Sequence, residues 1–419
     1  MESGSDFTLS PVPQTERAAV LDALRGFALL GILLMNIEAF VGPLNVALTG
    51  LDPELAGVDR WVDAAIYLLV QGKFYALFSL LFGVGFAVMM SRSEAAGRPF
   101  GGLYGRRLAA LAAIGLAHMV LLWSGDILFT YAAIGAVLLL FFRKSAVQRL
   151  PRWGVALYLL PSLLMFGFAA LIQLASLSPE GAAEVEQELA KAGEQWQASI
   201  DAQRLAYGPG GSYLEATAQR LADFAQFLTQ MPFWGAMILG MFLIGTWFWR
   251  SGMLANPTAH GARWRQLRLW GFLAGLPLVG LGFWLVPTML PHRLDLVSAT
   301  AFFVTALGNL ALCLAYASTL VLAMESPRWR AAALLLAPAG RMALTNYLLQ
   351  SVVCVGIFYG HGLGLYEQLS RAWQVPFVLL LFALQVIASD WWLARFRYGP
   401  MEWLWRWATY GRRPAFRAG

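Results

Sequence analysis

The stretch from Arg106 to Lys144, RRLAALAAIGLAHMVLLWSGDILFTYAAIGAVLLLFFRK, leaves the chain few folds to choose from. It reads as two apolar helices joined by a very short turn, WSGD, with basic residues at both far ends. At roughly 1.5 Å of rise per residue each half is long enough to cross a bilayer, so the hairpin enters a membrane, turns at the opposite face and returns. Two side chains inside it are foreign to lipid: His118, about a turn and a half before the turn, and Asp126, at the turn itself. An ionisable group at membrane depth is costly and marks a functional site by default.

The rest of the chain repeats this pattern. Of 419 residues, 59% are apolar and 13% charged, where a soluble domain carries about a quarter charged. Separated apolar runs of span length with no period-two alternation give an all-α, polytopic helical membrane protein and exclude an outer-membrane barrel. Ten spans are expected, at about 18–42, 73–91, 106–123, 126–142, 153–175, 230–249, 267–289, 297–323, 341–359 and 374–394. With the N-terminus inside, 23 of the 30 lysines and arginines fall on the cytoplasmic side, from Arg17, Arg25, Arg92 and Arg98 to Arg413 and Arg417. The opposite orientation inverts that ratio, so both termini are expected in the cytoplasm. The N-terminal MESGSDFTLSPVP lacks the basic start of a cleaved signal, and the first span is expected to be retained.

The expected organisation is a cytoplasmic tail at 1–17, five spans at 18–175, an extracytoplasmic helical insertion at 176–228, five more spans at 229–394, and a cytoplasmic interfacial helix and tail at 395–419. VDRWVDAAIYLLVQ, within 43–72, has the pattern of an amphipathic helix on the outer surface. EVEQELAKAGEQW, in the insertion, suits either a lid over the outer face or a solvated hairpin. The net charge of +6 follows topology and forms no nucleic-acid groove. Cys313 and Cys354 lie in apolar spans and give neither a disulfide framework nor a metal motif.

The candidate chemistry is held by five residues. A neutral His118 can accept a proton from an attacking hydroxyl, since imidazole titrates near neutrality. Asp126 follows Ser-Gly at a helix start, where a carboxylate caps backbone N–H groups and can also orient His118. Arg25 lies inside the first span with Asp22 three residues before it, an ordinary local ion pair. Arg341 follows Pro338-Ala-Gly340 near a helix N-terminus, where the dipole disfavours a cation unless an anion binds there too. Arg107, beside Arg106, opens the third span on the same side, where topology alone accounts for it. Asn346 and Gln350, four apart, and Asn36 and Glu38 in LLMNIEAF are explained by hydrogen bonds between helices. No phosphate loop, HExxH or GxSxG is present, so nothing points to an ATPase, a zinc protease or an ordinary serine hydrolase.

LDALRGFALLGILLMNIEAF, KFYALFSLLFGVGFAV, GLAHMVLLWSGDILFTYAAIG, GRMALTNYLLQS and FRYGPMEWLWR, in this order, resemble the YeiB-like family of bacterial inner-membrane proteins. The resemblance covers nearly the whole chain except the N-terminal tail and the 176–228 insertion. The family is itself similar, distantly, to integral-membrane acyltransferases such as heparan-α-glucosaminide N-acetyltransferase and the enzymes that O-acylate surface sugars. Those relatives carry an acyl group from cytoplasmic acyl-CoA to a sugar across the membrane. The sugar-acylating branch has an Arg or Lys in its first helix and a catalytic His eleven positions later; here Arg25 matches and position 36 is Asn.

The resemblance implies a membrane acyltransferase. In it, Arg25, Arg107 and Arg341 bind the phosphates of an acyl-CoA donor such as acetyl-CoA, and His118 with Asp126 activates an acceptor hydroxyl or amine. The expected partners are acyl-CoA, a sugar or lipid acceptor, membrane lipids and a second copy of the chain; no nucleic acid or metal is expected. The competing expectation is a transporter of a small organic or lipidic solute lined by the same residues, against which the lack of an internal repeat counts. A non-catalytic scaffold leaves His118 and Arg341 without a purpose.

Overall fold

The computed structural model describes residues 14–47, 49–97, 99–290 and 292–417, with side chains from residue 19 onward. Residues 1–13 of the expected tail, Arg98 and the side chain of Arg17 lie outside the described residues. Among the described residues the chain is helical, and extended pairing is confined to the isolated bridges Gly50–Thr288 and Phe396–Arg417.

The helices are α1 (Gln14–Val41), α2 (Leu44–Ala47), α3 (Gly57–Leu69), α4 (Lys73–Ala95), α5 (Phe100–Leu121) and α6 (Leu128–Val137), which runs on through a wider turn at Leu138–Phe142. After them come α7 (Leu150–Ala175), α8 (Pro179–Tyr207), α9 (Tyr213–Arg250), α10 (Gly261–Leu285) and α11 (Leu296–Glu325). The chain closes with α12 (Pro327–Leu334), α13 (Ala337–Arg341), α14 (Ala343–Phe358), α15 (Arg371–Leu393) and α16 (Pro400–Tyr410). Among the described residues, seven helical stretches are long and apolar enough to cross a membrane, and Leu128–Phe142 and Ala343–Phe358 are shorter apolar helices. Arg106, Arg107 and His118 make α5 more polar, and it is not among the seven. Large apolar side chains of α7, α10 and α15, among them Leu171, Leu273, Trp284, Leu380 and Ile387, are exposed. Lipid is the solvent that suits such a surface, and the chain is a multi-pass membrane protein.

The centre of the bundle is α1, which packs on α4, α11, α13, α14 and α15 and buries Ala23, Leu24, Ala28, Leu29 and Leu33. Small residues set its closest crossing: a Cβ at Gly340 would lie 2.7 Å from the Gly26 nitrogen, so α1 and α13 touch backbone to backbone.

Two helices build the insertion. Ser178 caps α8, and Ser212 with Glu215 forms a reciprocal capping box that starts α9. From there α9 runs without a break through 228 and 229, past Pro232, for 38 residues. At about 1.5 Å per residue that length is nearly twice the hydrocarbon core of about 30 Å, so one end projects beyond it. The projecting part is tied down rather than solvated. Tyr213 donates its hydroxyl to the Leu121 carbonyl at 2.7 Å, and Arg220 Nε donates to the Val120 carbonyl at 2.7 Å. The acidic EVEQELAKAGEQW lies in α8, whose last turns bury Ile200, Gln203, Ala206 and Tyr207. The insertion therefore roofs the α5–α6 turn.

The amphipathic stretch VDRWVDAAIYLLVQ forms α3, bound through Asp63 to Arg371 at the start of α15 at 2.7 Å. Arg371 also reaches Glu38 near the end of α1, at 3.0 Å, so one buried guanidinium joins three helices.

Candidate functional site

Gly115 makes the site possible. A Cβ there would lie 2.9 Å from Asp126 Oδ1 and would collide with the Phe129 nitrogen, so only glycine lets α5 come this close to the start of α6. Three residues on, His118 ends the regular part of α5, and its carbonyl accepts N–H groups from both Leu122 and Trp123 at 2.9 Å. Asp126 does two jobs at once. Its Oδ1 accepts the Phe129 N–H at 2.9 Å, capping α6, and its Oδ2 lies 2.7 Å from His118 Nδ1.

The other face of the imidazole meets a residue that sequence reasoning did not single out. His118 Nε2 lies 2.8 Å from Ser351 Oγ, on α14. Because the Asp126 carboxylate can only accept, Nδ1 carries the proton, and Nε2 is left bare to accept the Ser351 hydroxyl. Asp126, His118 and Ser351 are 5%, 4% and 0% exposed, so the relay is held out of bulk solvent. This is the geometry of a nucleophile, a general base and its orienting carboxylate. It stands without the strand-to-helix elbow whose absence spoke against a serine mechanism, because such triads are defined by geometry and recur on unrelated folds. The sequence signal for Ser351 was weak: a single hydroxyl after Gln350 in an apolar helix, 233 positions away from its partner.

Ser351 sits in the middle of α14, so its own N–H is spent on the helix ladder and cannot stabilise an oxyanion. Tyr347 lies one turn earlier, with its ring 5.3 Å from the imidazole and a buried hydroxyl whose own hydrogen has no acceptor among the described residues.

Around this centre the polar side chains of α14 and α15 are matched. Asn346 donates to Ser389 at 2.9 Å, and Gln350 donates to Gln385 at 2.9 Å, which in turn donates to the Asn346 carbonyl. These two residues join helices, as expected from their spacing.

Of the three arginines, Arg107 shares α5 with His118, eleven residues before it and about 16 Å away along the axis; Arg341 ends α13, ten positions before Ser351, and Arg25 is on α1. Arg25 pairs with Asp22 at 2.9 Å, and Arg341 and Arg406 are within electrostatic reach of that carboxylate. Arg107 stacks over Trp405 at 3.5 Å and is within reach of Arg25 and Arg406. The structure thus brings the arginines into one belt and adds Arg406. The expected reason for Arg341 is corrected. The N-terminus of α14 already holds a carboxylate: Glu402 of α16 accepts the Leu344 N–H at 2.7 Å, the Thr345 N–H at 3.1 Å and the Thr345 hydroxyl at 2.6 Å. Arg341, exposed at the end of α13, needs no external anion to balance that dipole. Two grooves of about 560 and 450 Å³ flank α10, lined by residues such as Trp270, Gly271 and Phe272, and none of the triad lines either.

Residues 248–412 match the family described as "Protein of unknown function (DUF418)". Over nearly its full length the chain is similar to YxaH of Bacillus subtilis (strain 168), described as an uncharacterized protein, with 36% identity and 96% of each chain covered. It is similar to YeiB of Escherichia coli (strain K12), also described as uncharacterized, with 33% identity over 94% of this chain and 96% of the relative. A 39.9 kDa protein of Bacillus acidopullulyticus is 27% identical over 97% of both chains.

Proposed function

The chain belongs to the YeiB-like family, and from that premise and the Ser351–His118–Asp126 relay we propose that it is a membrane acyltransferase. The single observation that carries the reading is the serine hydroxyl 2.8 Å from a histidine whose other nitrogen is held by a buried carboxylate. In this reading ten helices cross the bacterial inner membrane with both termini in the cytoplasm. The arginine belt of Arg25, Arg107, Arg341 and Arg406 then faces the cytoplasm, and the α5–α6 turn with its roof faces outward.

The donor is acyl-CoA, its phosphates gripped by the arginines and its pantetheine arm running between α5 and α14. About 16 Å of α5 separates Arg107 from His118, a span suited to an extended arm. Ser351 Oγ attacks the thioester carbonyl while His118 Nε2 takes its proton; the C–O bond forms, the C–S bond breaks, and the imidazolium protonates the leaving thiolate. Asp126 holds the imidazolium, and the Tyr347 hydroxyl donates to the oxyanion. An acceptor hydroxyl or amine of a sugar or lipid then attacks the Ser351 ester, giving its proton to His118, which returns it to Ser351. Burial keeps water from competing with that acceptor.

The test is direct. Purified protein incubated with acetyl-CoA is digested, and peptides carrying Ser351 are weighed. An acetyl group on Ser351 in the wild type, absent in Ser351→Ala and His118→Ala, is the expected result; an unmodified Ser351 together with unchanged acceptor turnover in Ser351→Ala would overturn it.

A further inference from the structure

Beyond the triad, on the side of the α8–α9 roof, three polar atoms have no hydrogen-bond partner among the described residues: Arg220 Nη1, His361 Nδ1 and Tyr366 OH. Native proteins leave few such atoms buried, and each calls for a partner. These three surround one residue, Tyr359. Its ring lies 5.8 Å from the rings of His361 and Tyr366, and its hydroxyl is hydrogen-bonded by Trp123 and within electrostatic reach of Arg220. Ser124 is hydrogen-bonded to the Tyr207 hydroxyl, and the Tyr207 ring stacks on Tyr359 at 4.8 Å. The cluster adjoins the relay, because Trp123 packs 6.4 Å from the His118 ring.

Its chemistry is that of donors. Arg220 is fully buried, with Nε on the Val120 carbonyl and Nη2 on Thr217, which leaves the two hydrogens of Nη1 free. The nearby carboxylate does not take them: Asp223 is already filled by the Tyr207 hydroxyl at 2.6 Å, Gln219 at 2.8 Å and Gln203 at 3.1 Å. With one hydrogen each from Tyr366 and the Nδ1 tautomer of His361, four donors are available around a guanidinium whose charge the filled Asp223 does not take up, an arrangement that suits the oxygens of a phosphate. We propose that this cluster is the acceptor's binding site and that it recognises a phosphate monoester, which it presents beside His118. The proposal rests on the acyl-transfer reading for the role of the ligand as acceptor, not for its binding. Burial and the neighbouring Arg220 hold the His361 imidazole below its ordinary pKa, and a bound phosphate would favour its protonated form.

The probes are glycerol 3-phosphate for a soluble monoester and phosphatidic acid in phosphatidylcholine nanodiscs for a lipid one, with glycerol and plain phosphatidylcholine as uncharged and background controls. Titration calorimetry or thermal shift on the purified protein should detect one or both phosphates and neither control. Arg220→Met should weaken binding by about tenfold or more and His361→Gln by several-fold, while Ser351→Ala binds like the wild type. Should Arg220→Met fail to fold, His361→Gln and Tyr366→Phe decide alone. A wild type that binds neither phosphate, or binding indifferent to His361→Gln and Tyr366→Phe, would overturn the site. A fluorophosphonate label on Ser351, read in the same samples, separates the two ideas: phosphate bound with Ser351 unlabelled removes the acyltransferase and leaves the site standing.

Discussion

Ser351 Oγ and His118 Nε2 lie 2.8 Å apart although they are 233 positions apart in the chain, and the contact exists because α14, packed on α1, carries Ser351 to the last turns of α5. The first prediction follows from it. Ser351→Ala and His118→Ala should each abolish transfer, and combining them should cost no more than either alone, because the residues act as one unit. Asp126→Asn should lower turnover by about 10⁴-fold, since an amide can stabilise the wrong tautomer. Acetyl transfer from labelled acetyl-CoA to membrane extract measures all three.

Gly115→Ala should push α5 away from the start of α6. Overpacking of this kind costs about 1–3 kcal/mol, and here it would also stretch the His118–Asp126 bond. The expected outcome is a lower melting temperature together with a loss of turnover larger than the stability change explains. Ala at Gly105, where a Cβ meets nothing within 4 Å among the described residues, is the control that should leave both unchanged.

Glu402 ties α16 to α14. Glu402→Ala leaves the Leu344 and Thr345 N–H groups without their acceptor and should cost about 1–2 kcal/mol. Burial pushes the Glu402 carboxyl above its ordinary value, against the pull of the Thr345 hydroxyl and the backbone N–H groups. The folded state therefore holds this proton to a higher pH than the unfolded chain does. Its contribution is greatest below the ordinary carboxyl pKa of about 4.3 and declines as pH rises toward the folded value. Melting curves from about pH 4 upward should show that decline in the wild type and a flatter profile in Glu402→Gln.

Arg107→Lys keeps the charge but loses the flat stack on Trp405 and the forked grip on phosphate. Binding of coenzyme A, read as a rise in melting temperature, should weaken in Arg107→Lys and in Arg341→Lys. A small solute that stabilises the protein where coenzyme A and acetyl-CoA do not would favour transport over transfer.

The sequence by itself determined the solvent and the local contacts. Apolar runs of span length dictate membrane helices because lipid offers the backbone no hydrogen bonds. His118 and Asp126 were legible as a pair because eight residues and a four-residue turn leave them no room to separate. Asn346 and Gln350 were legible as helix glue from a spacing of four. What only the tertiary structure decided lies between distant segments. Ser351 is one hydroxyl among many until α14 is placed, and no period along the chain encodes that placement. Glu402, read in an interfacial anchor, turned out to cap a helix 57 positions away and took over the anion expected near Arg341. The insertion could be read as lid or solvated hairpin because its composition suits both; Arg220 and Tyr213, bonded to the last carbonyls of α5, make it a roof. Short-range geometry is fixed by bond lengths and helical period, whereas these contacts depend on how whole helices pack, and that is set by many small side-chain fits at once.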